Sequence, residues 1–94
     1  MVAGSGADRG VLICGTGIGM AMAANKVAGV RAAVVTDALT AEMSRRHNDA
    51  NVFCAGARVL SSETLAGLLK TWLATPFEGG RHQQRVDKIA RLEK

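Results

Sequence analysis

Several side chains in this sequence are of types that do chemistry and stand in patterns worth weighing. Cys14 closes the apolar run VLIC (11–14) and is followed at alternate positions by Gly15, Gly17 and Gly19. A free cysteine has a pKa of about 8.5, and a helix N-terminus nearby raises its thiolate fraction. Glycines between a strand and a helix leave backbone N–H groups unpaired, so an anion can sit among them. His47, with Asn48, lies in RRHNDAN (45–51), where a helix ends and a strand begins. A histidine there is either a functional group or a partner for the helix dipole. Arg81 and Arg85 in GGRHQQR (79–85) are four residues apart, with Lys88 extending the same face. Two adjacent guanidiniums suit a phosphate placed between them, although a solvated basic face has the same pattern. Arg58, in GAR after a strand, is a weaker candidate of the same kind.

The glycine stretch admits other readings. The dinucleotide fingerprint G-x-G-x-x-G fails at its third glycine, where Met20 stands. Asp37 falls about 20 residues on, where that fingerprint needs a ribose-binding acid, but it serves equally as a helix N-cap. A tight turn with no ligand also fits. Cys14 ends its strand at the edge where open α/β sheets bind ligands. Cys54, inside NVFCAG (51–56), reads instead as a small buried hydrophobe. Cys14, Cys54, His47 and His82 lack ligand-like spacing, so no metal is expected.

Elements that would position these groups can be read from the periodicity. VLIC (11–14), VRAAVVT (30–36) and NVFCAG (51–56) read as strands, the first two buried on both faces. Met20, Ala23, Ala24 and Val27 fall at helical spacing, with Gly29 as a stop. Asp37 or Thr36 caps a helix that runs to about His47 with Leu39 and Met43 on its apolar face. Ser61 or Ser62 caps another, whose stripe is Leu65, Leu68, Leu69, Trp72 and Leu73. After Pro76 and the turn FEGG, a basic helix over 81–94 carries Val86, Ile89 and Leu92 on one side. Strands alternating with helices predict an α/β fold, three layers α/β/α with a parallel, Rossmann-like sheet covered on both faces.

Bulk properties bound the rest. A 94-residue chain is one small domain, 1–94, able to bury roughly 60–65% of its unfolded surface. Hydrophobic content of 48% excludes a disordered tail, and 3% aromatic content makes the core aliphatic. Two cysteines are too few for a disulfide scaffold. With no signal-like segment and no apolar run of about 20 residues, the chain reads as soluble and cytoplasmic, without a membrane partner. The net charge of +4 is concentrated toward the C-terminus. The three aromatic residues, Phe53, Trp72 and Phe77, are not interleaved with basic ones, which argues against nucleic acid and leaves a small phosphorylated ligand.

Taken together, DRGVLICGTGIGMAMAANK, VRAAVVTD, SRRHNDANV, GARV and FEGGRHQQRVDKI closely resemble type B ribose-5-phosphate isomerases, in the group that also holds galactose- and allose-6-phosphate isomerases. The resemblance covers residues 8 to about 90. It implies interconversion of ribose 5-phosphate and ribulose 5-phosphate, with Cys14 moving a proton between C1 and C2. Gly15, Gly17, Ile18 and Gly19 would line the substrate, and Thr16 with its backbone neighbours would stabilise the enediolate oxygen. His47 would open the furanose ring, Asn48 would contact the sugar, and Arg81 with Arg85 would hold the phosphate. The resemblance further implies no cofactor, a sugar phosphate as ligand, and a homodimer or homotetramer with sites completed across subunits. HNDAN and GGRH favour the ribose-5-phosphate type within the group. The family also has a leading strand, an Asp-His-Ala-Gly turn, a helix, a second strand and another helix, roughly 50 residues without counterpart here. A fragment, a misplaced start codon and a short paralogue all account for that difference. A sugar-phosphate-binding module without turnover is the alternative reading of function, and an isomerase of another sugar phosphate is the nearer one.

Overall fold

A computed structural model describes residues 9–92 of the chain. Three strands, β1 (Gly10–Cys14), β2 (Ala32–Val34) and β3 (Val52–Gly56), form a parallel sheet in the order β1-β3-β2. Helices α1 (Ile18–Ala24), α2 (Ala38–Arg46) and α3 (Ser62–Ala74) follow β1, β2 and β3 in turn, and α4 (Arg81–Arg91) comes last. The register runs from Gly10 beside Val52 to Cys14 beside Gly56, and from Ala32 beside Val52 to Val34 beside Cys54. The expected three-layer, Rossmann-like α/β/α arrangement is what forms.

β3 occupies the centre, so both its faces are covered and every residue in it is buried. Alternation splits those side chains between two cores. Phe53 and Ala55 join Val35, Ala41, Leu68 and Trp72 under α2 and α3, with Phe53 edge-on to Trp72 at 5.6 Å. Val52 and Cys54 face α1 through Ala21, with Leu12 and Val34 packed alongside.

The sequence-based expectations need correction at the sheet edges and on helix faces. β1 is not buried on both faces: Val11 and Ile13 are 43% and 50% exposed. It is an edge strand, with α1 over the face of Leu12, while on the opposite face α3 borders Ile13 across an open cavity and leaves it and Val11 partly exposed. β2 is shorter than 30–36, and its residues are half-buried for the same reason. In α1 the buried residue is Ala21 and Met20 is exposed; the helix ends at Ala24, so Val27 lies beyond it and is exposed as well. In α2, Leu39 is exposed and the inward face carries Ala41, Ser44 and Arg45. That face packs chiefly against α3, and the Arg45 guanidinium lies over the Trp72 ring of α3 at 5.8 Å. Leu73 of α3, and Ile89 and Leu92 of α4, are also exposed, with Val86 and His82 forming the buried side of α4.

Caps hold these boundaries. Asp37 accepts from the Thr40 amide while Thr40 Oγ1 accepts from the Asp37 amide, a reciprocal capping box. Ser61 accepts from the Thr64 amide at the start of α3.

Candidate functional site

The loop after β1 is shaped by what lies beneath it. The Ala57 amide donates to the Cys14 carbonyl at 2.7 Å and the Arg58 amide to the Gly15 carbonyl at 3.0 Å, tying the loop to the end of β3. A Cβ at Gly56 would fall 2.5 Å from Thr16 Cα and 2.6 Å from the Gly15 carbonyl oxygen. Only glycine fits there, and NVFCAG carries that requirement in sequence. Gly17 has φ 85°, a left-handed conformation, and a Cβ on it would meet the Ala55 backbone at 3.1 Å. The two glycines let the loop lie flat over the carboxyl end of the sheet.

That path turns backbone N–H groups onto the sulfur of Cys14. The Gly17 amide donates to Sγ at 3.1 Å. The Met20 amide acts most strongly to pull the thiol below its ordinary pKa; partial burial opposes this, and the Gly17 and Thr16 amides add to it. Cys54 behaves oppositely, since burial and then the charge of Cys14 push its thiol up. Thr16 is exposed, with Oγ1 accepting from the Ile18 amide at 3.3 Å. Gly19 has open space where a side chain would be, and the Arg58 side chain passes over Gly15, its Cδ 3.4 Å from where a Gly15 Cβ would lie. Cys14, Gly15, Thr16, Gly17, Ile18, Gly19 and Arg58 thus stand together.

His47, Asn48, Arg81 and Arg85 stand elsewhere. His47 caps the C-terminus of α2, its amide donating to the Met43 carbonyl at 2.9 Å. Its ring stacks on that of His82 with centroids 4.2 Å apart and planes 14° from parallel. Burial, then the charges of His47, Arg81 and others, lowers the His82 pKa against the raising effect of Glu78, so the ring stays neutral near pH 7. Asn48 is exposed beside a cleft of about 720 Å³ that it shares with Asn25, Arg31, Ser44 and Ile89. Arg81 and Arg85 are exposed on the first two turns of α4.

This second group belongs to the amino end of the sheet. Asp49 and Asn51 follow it directly into β3, and the Asn51 side chain accepts from the Arg31 amide just before β2. From Val52 to Gly56, β3 advances ~13 Å. Cys14 lies at one end of that span and His47 beyond the other, so a single chain does not bring the two groups together.

Residues that sequence reasoning passed over hold the second group in place. Asp49 is the one described non-glycine residue with positive φ, at 47°. Its carboxylate meets Arg45 at 2.7 Å and Arg31 at 3.4 Å, and its carbonyl accepts from Arg31 Nε at 2.9 Å. Arg45 is itself buried and also donates to the carbonyls of Ala50 and Thr75. Its Arg/Asp i,i+4 spacing was visible in sequence, but its inward orientation was not. Glu78 approaches His82 at 3.7 Å and Arg46 at 3.5 Å.

A family model described as Ribose/Galactose Isomerase matches residues 1–89. Ribose-5-phosphate isomerase B of Escherichia coli (strain K12) is 50% identical over 92 residues, 98% of this chain and 62% of that protein. The structure of Trypanosoma brucei type B ribose 5-phosphate isomerase superposes with a TM-score of 0.96 at 52% identity, over 99% of this chain and 63% of that one. Ribose-5-phosphate isomerase B of Mycoplasma genitalium, solved with bound ribulose-5-phosphate, gives a TM-score of 0.86 at 49% identity, over 90% and 56%. The chain spans about three fifths of the length of the relatives it matches.

Proposed function

We propose, for a chain that belongs to the ribose/galactose isomerase family, that it carries the machinery of an aldose–ketose isomerase acting on ribose 5-phosphate and ribulose 5-phosphate. The Cys14 thiolate removes the proton at C2 of the open-chain aldose, and electrons move into the carbonyl to give an enediolate. The same thiol returns the proton to C1 while the proton of the C2 hydroxyl passes to O1, leaving the ketose. Thr16 and the loop amides of Gly15, Gly17, Ile18 and Gly19 surround the enediolate oxygen, where fixed donors act on charge as it develops. His47 transfers the proton that opens the furanose, with Asn48 beside it, and Arg81 with Arg85 grips the phosphate. Arg58, over the loop, is a further cation for the same anionic substrate. No metal or organic cofactor enters these steps.

The observation that carries this reading is the lowered thiol of Cys14, held under backbone donors at the carboxyl end of the sheet. Proton abstraction beside a carbonyl needs a base poised near neutrality. The placement of His47 and the arginines beyond the opposite end of β3 supports a site shared between two copies. A five-carbon sugar phosphate is shorter than the strand, so one chain cannot supply both groups to one molecule. In a two-fold pair the Cys14 end of each copy meets the His47 end of the other, giving two sites.

Turnover of ribose 5-phosphate by this chain and loss of it in Cys14→Ala test the proton transfer. Mixing tests the sharing: at substrate too dilute to saturate, Cys14→Ala and the double variant Arg81→Ala/Arg85→Ala are each close to inactive alone and together recover about a quarter of the activity, because half the pairs then hold one intact site of two. No recovery would put both groups in one chain. A second reading is a sugar-phosphate-binding module without turnover, in which the donor-lined loop at Cys14 holds an anion and no proton is moved. Binding of ribose 5-phosphate by folded chain that never isomerises it would establish that reading instead.

A further inference from the structure

Both histidines of the chain meet at one place, the junction of α2, the loop after α3 and the first turn of α4. Glu78 joins them there. One donor atom from each of His47, Glu78 and His82 lies within 4.8 Å of the other two. His82 is 5% exposed, and its Nδ1 has no hydrogen-bond partner. Its other ring nitrogen, Nε2, faces the Glu78 carboxylate at 3.7 Å, so this buried imidazole and the carboxylate present donors to the same space.

We infer that His47, Glu78 and His82 form a binding site for a first-row divalent cation, best matched by Zn²⁺, through two imidazole nitrogens and one carboxylate oxygen. That donor set is the one borderline cations take at sites with a position open to water or an anion, whereas Mg²⁺ and Ca²⁺ prefer oxygen throughout. Bonds of about 2.1 Å place tetrahedral donors roughly 3.4 Å apart, so the three atoms close in by about an ångström when the ion binds. The half-buried His47 ring turns out of its parallel stack on His82, so that its in-plane lone pair meets the ion. Glu78 is exposed enough to make that movement, at 46% side-chain exposure. Its contact to Arg46 is long, at 3.5 Å, and Arg46 has a shorter partner in Glu42 at 2.9 Å. Releasing Glu78 to a cation is therefore cheap.

Neighbouring charge sets the strength. Arg81 and Arg85 on α4, and Arg46 on α2, repel a dication, which holds the affinity on the order of micromolar rather than nanomolar. The ion occupies the His47 lone pair that ring opening uses, so Zn²⁺ inhibits turnover. That consequence rests on the isomerase reading; the binding itself does not.

The test reads metal binding directly. The full chain, carrying Cys14→Ser to remove the accessible thiol, is titrated with Zn²⁺ against a chromophoric chelator, and with Co²⁺ by visible absorption. The expected result is one Zn²⁺ per chain and Co²⁺ bands free of thiolate charge transfer. Glu78→Gln and His82→Asn each weaken Zn²⁺ about tenfold or more. Glu78→Gln lies at an exposed position, so it decides the matter even where His82→Asn fails to fold. No Zn²⁺ binding at millimolar concentration overturns the site, and so does affinity unchanged in Glu78→Gln.

Discussion

At the scale of residues, the two cysteines show how position decides chemistry. Cys14 and Cys54 belong to adjacent strands, yet one sits under backbone donors at a strand end and the other inside the core. We expect iodoacetamide to modify Cys14 with a rate that rises with pH through a midpoint below that of a free cysteine. A lowered pKa means the thiolate persists to lower pH, and loss of a proton creates the nucleophile, so the curve shifts toward acid. Peptide mapping should leave Cys54 unmodified while the chain is folded. Arg81→Ala and Arg85→Ala should each weaken ribose 5-phosphate binding by about 1.5–3 kcal/mol, as for hydrogen bonds to charged groups, measured by calorimetry. Unchanged affinity in both would move the phosphate grip to Arg58 or elsewhere.

At the scale of elements, strands and helices were legible where a pattern depends on neighbours in sequence. The β1–loop–α1 unit, the Asp37 cap, the Ser61 cap and the Arg81 start of α4 all follow from local spacing and capping chemistry. Burial was less legible, because it depends on what covers a face. Val11 and Ile13 look like core residues in sequence and are half exposed, while Arg45 looks like a surface residue and is buried. The proximity of His47 and His82 was also hidden, since nothing local sets the path of residues 75–80. The junction of β3 with the CGTG loop yields a sharp prediction. Gly56→Ala drives a methyl group into the Thr16 backbone and should destabilise the chain by about 1–3 kcal/mol, the usual cost of overpacking, read from denaturant unfolding. The Cys14 alkylation rate should change with it, because the same backbone aims the amides at the sulfur.

At the scale of the molecule, a parallel sheet separates what it builds. Every β-to-α loop emerges at the carboxyl end and every α-to-β turn at the amino end, so the Cys14 loop and the His47 turn cannot share an edge within one chain. With sites formed between copies, activity per chain should fall on dilution as pairs separate. Turnover measured across chain concentrations, beside sedimentation at the same concentrations, checks this; constant specific activity down to the monomer would contradict it. The candidate residues were readable from sequence, but their division between two ends was not, because it emerges only from the direction of the strands.

The span of β3 has a genetic consequence. If the sites are shared between copies as proposed, two alleles, one damaged in the Cys14 loop and one in the His47 turn, would restore activity to one another in the same cell. An allele damaged at both ends would behave as a dominant poison, since each wild-type chain it captures loses a working counterpart at both of its ends. Inheritance at this locus would then depend on the side of a five-residue strand on which the damaged residue lies.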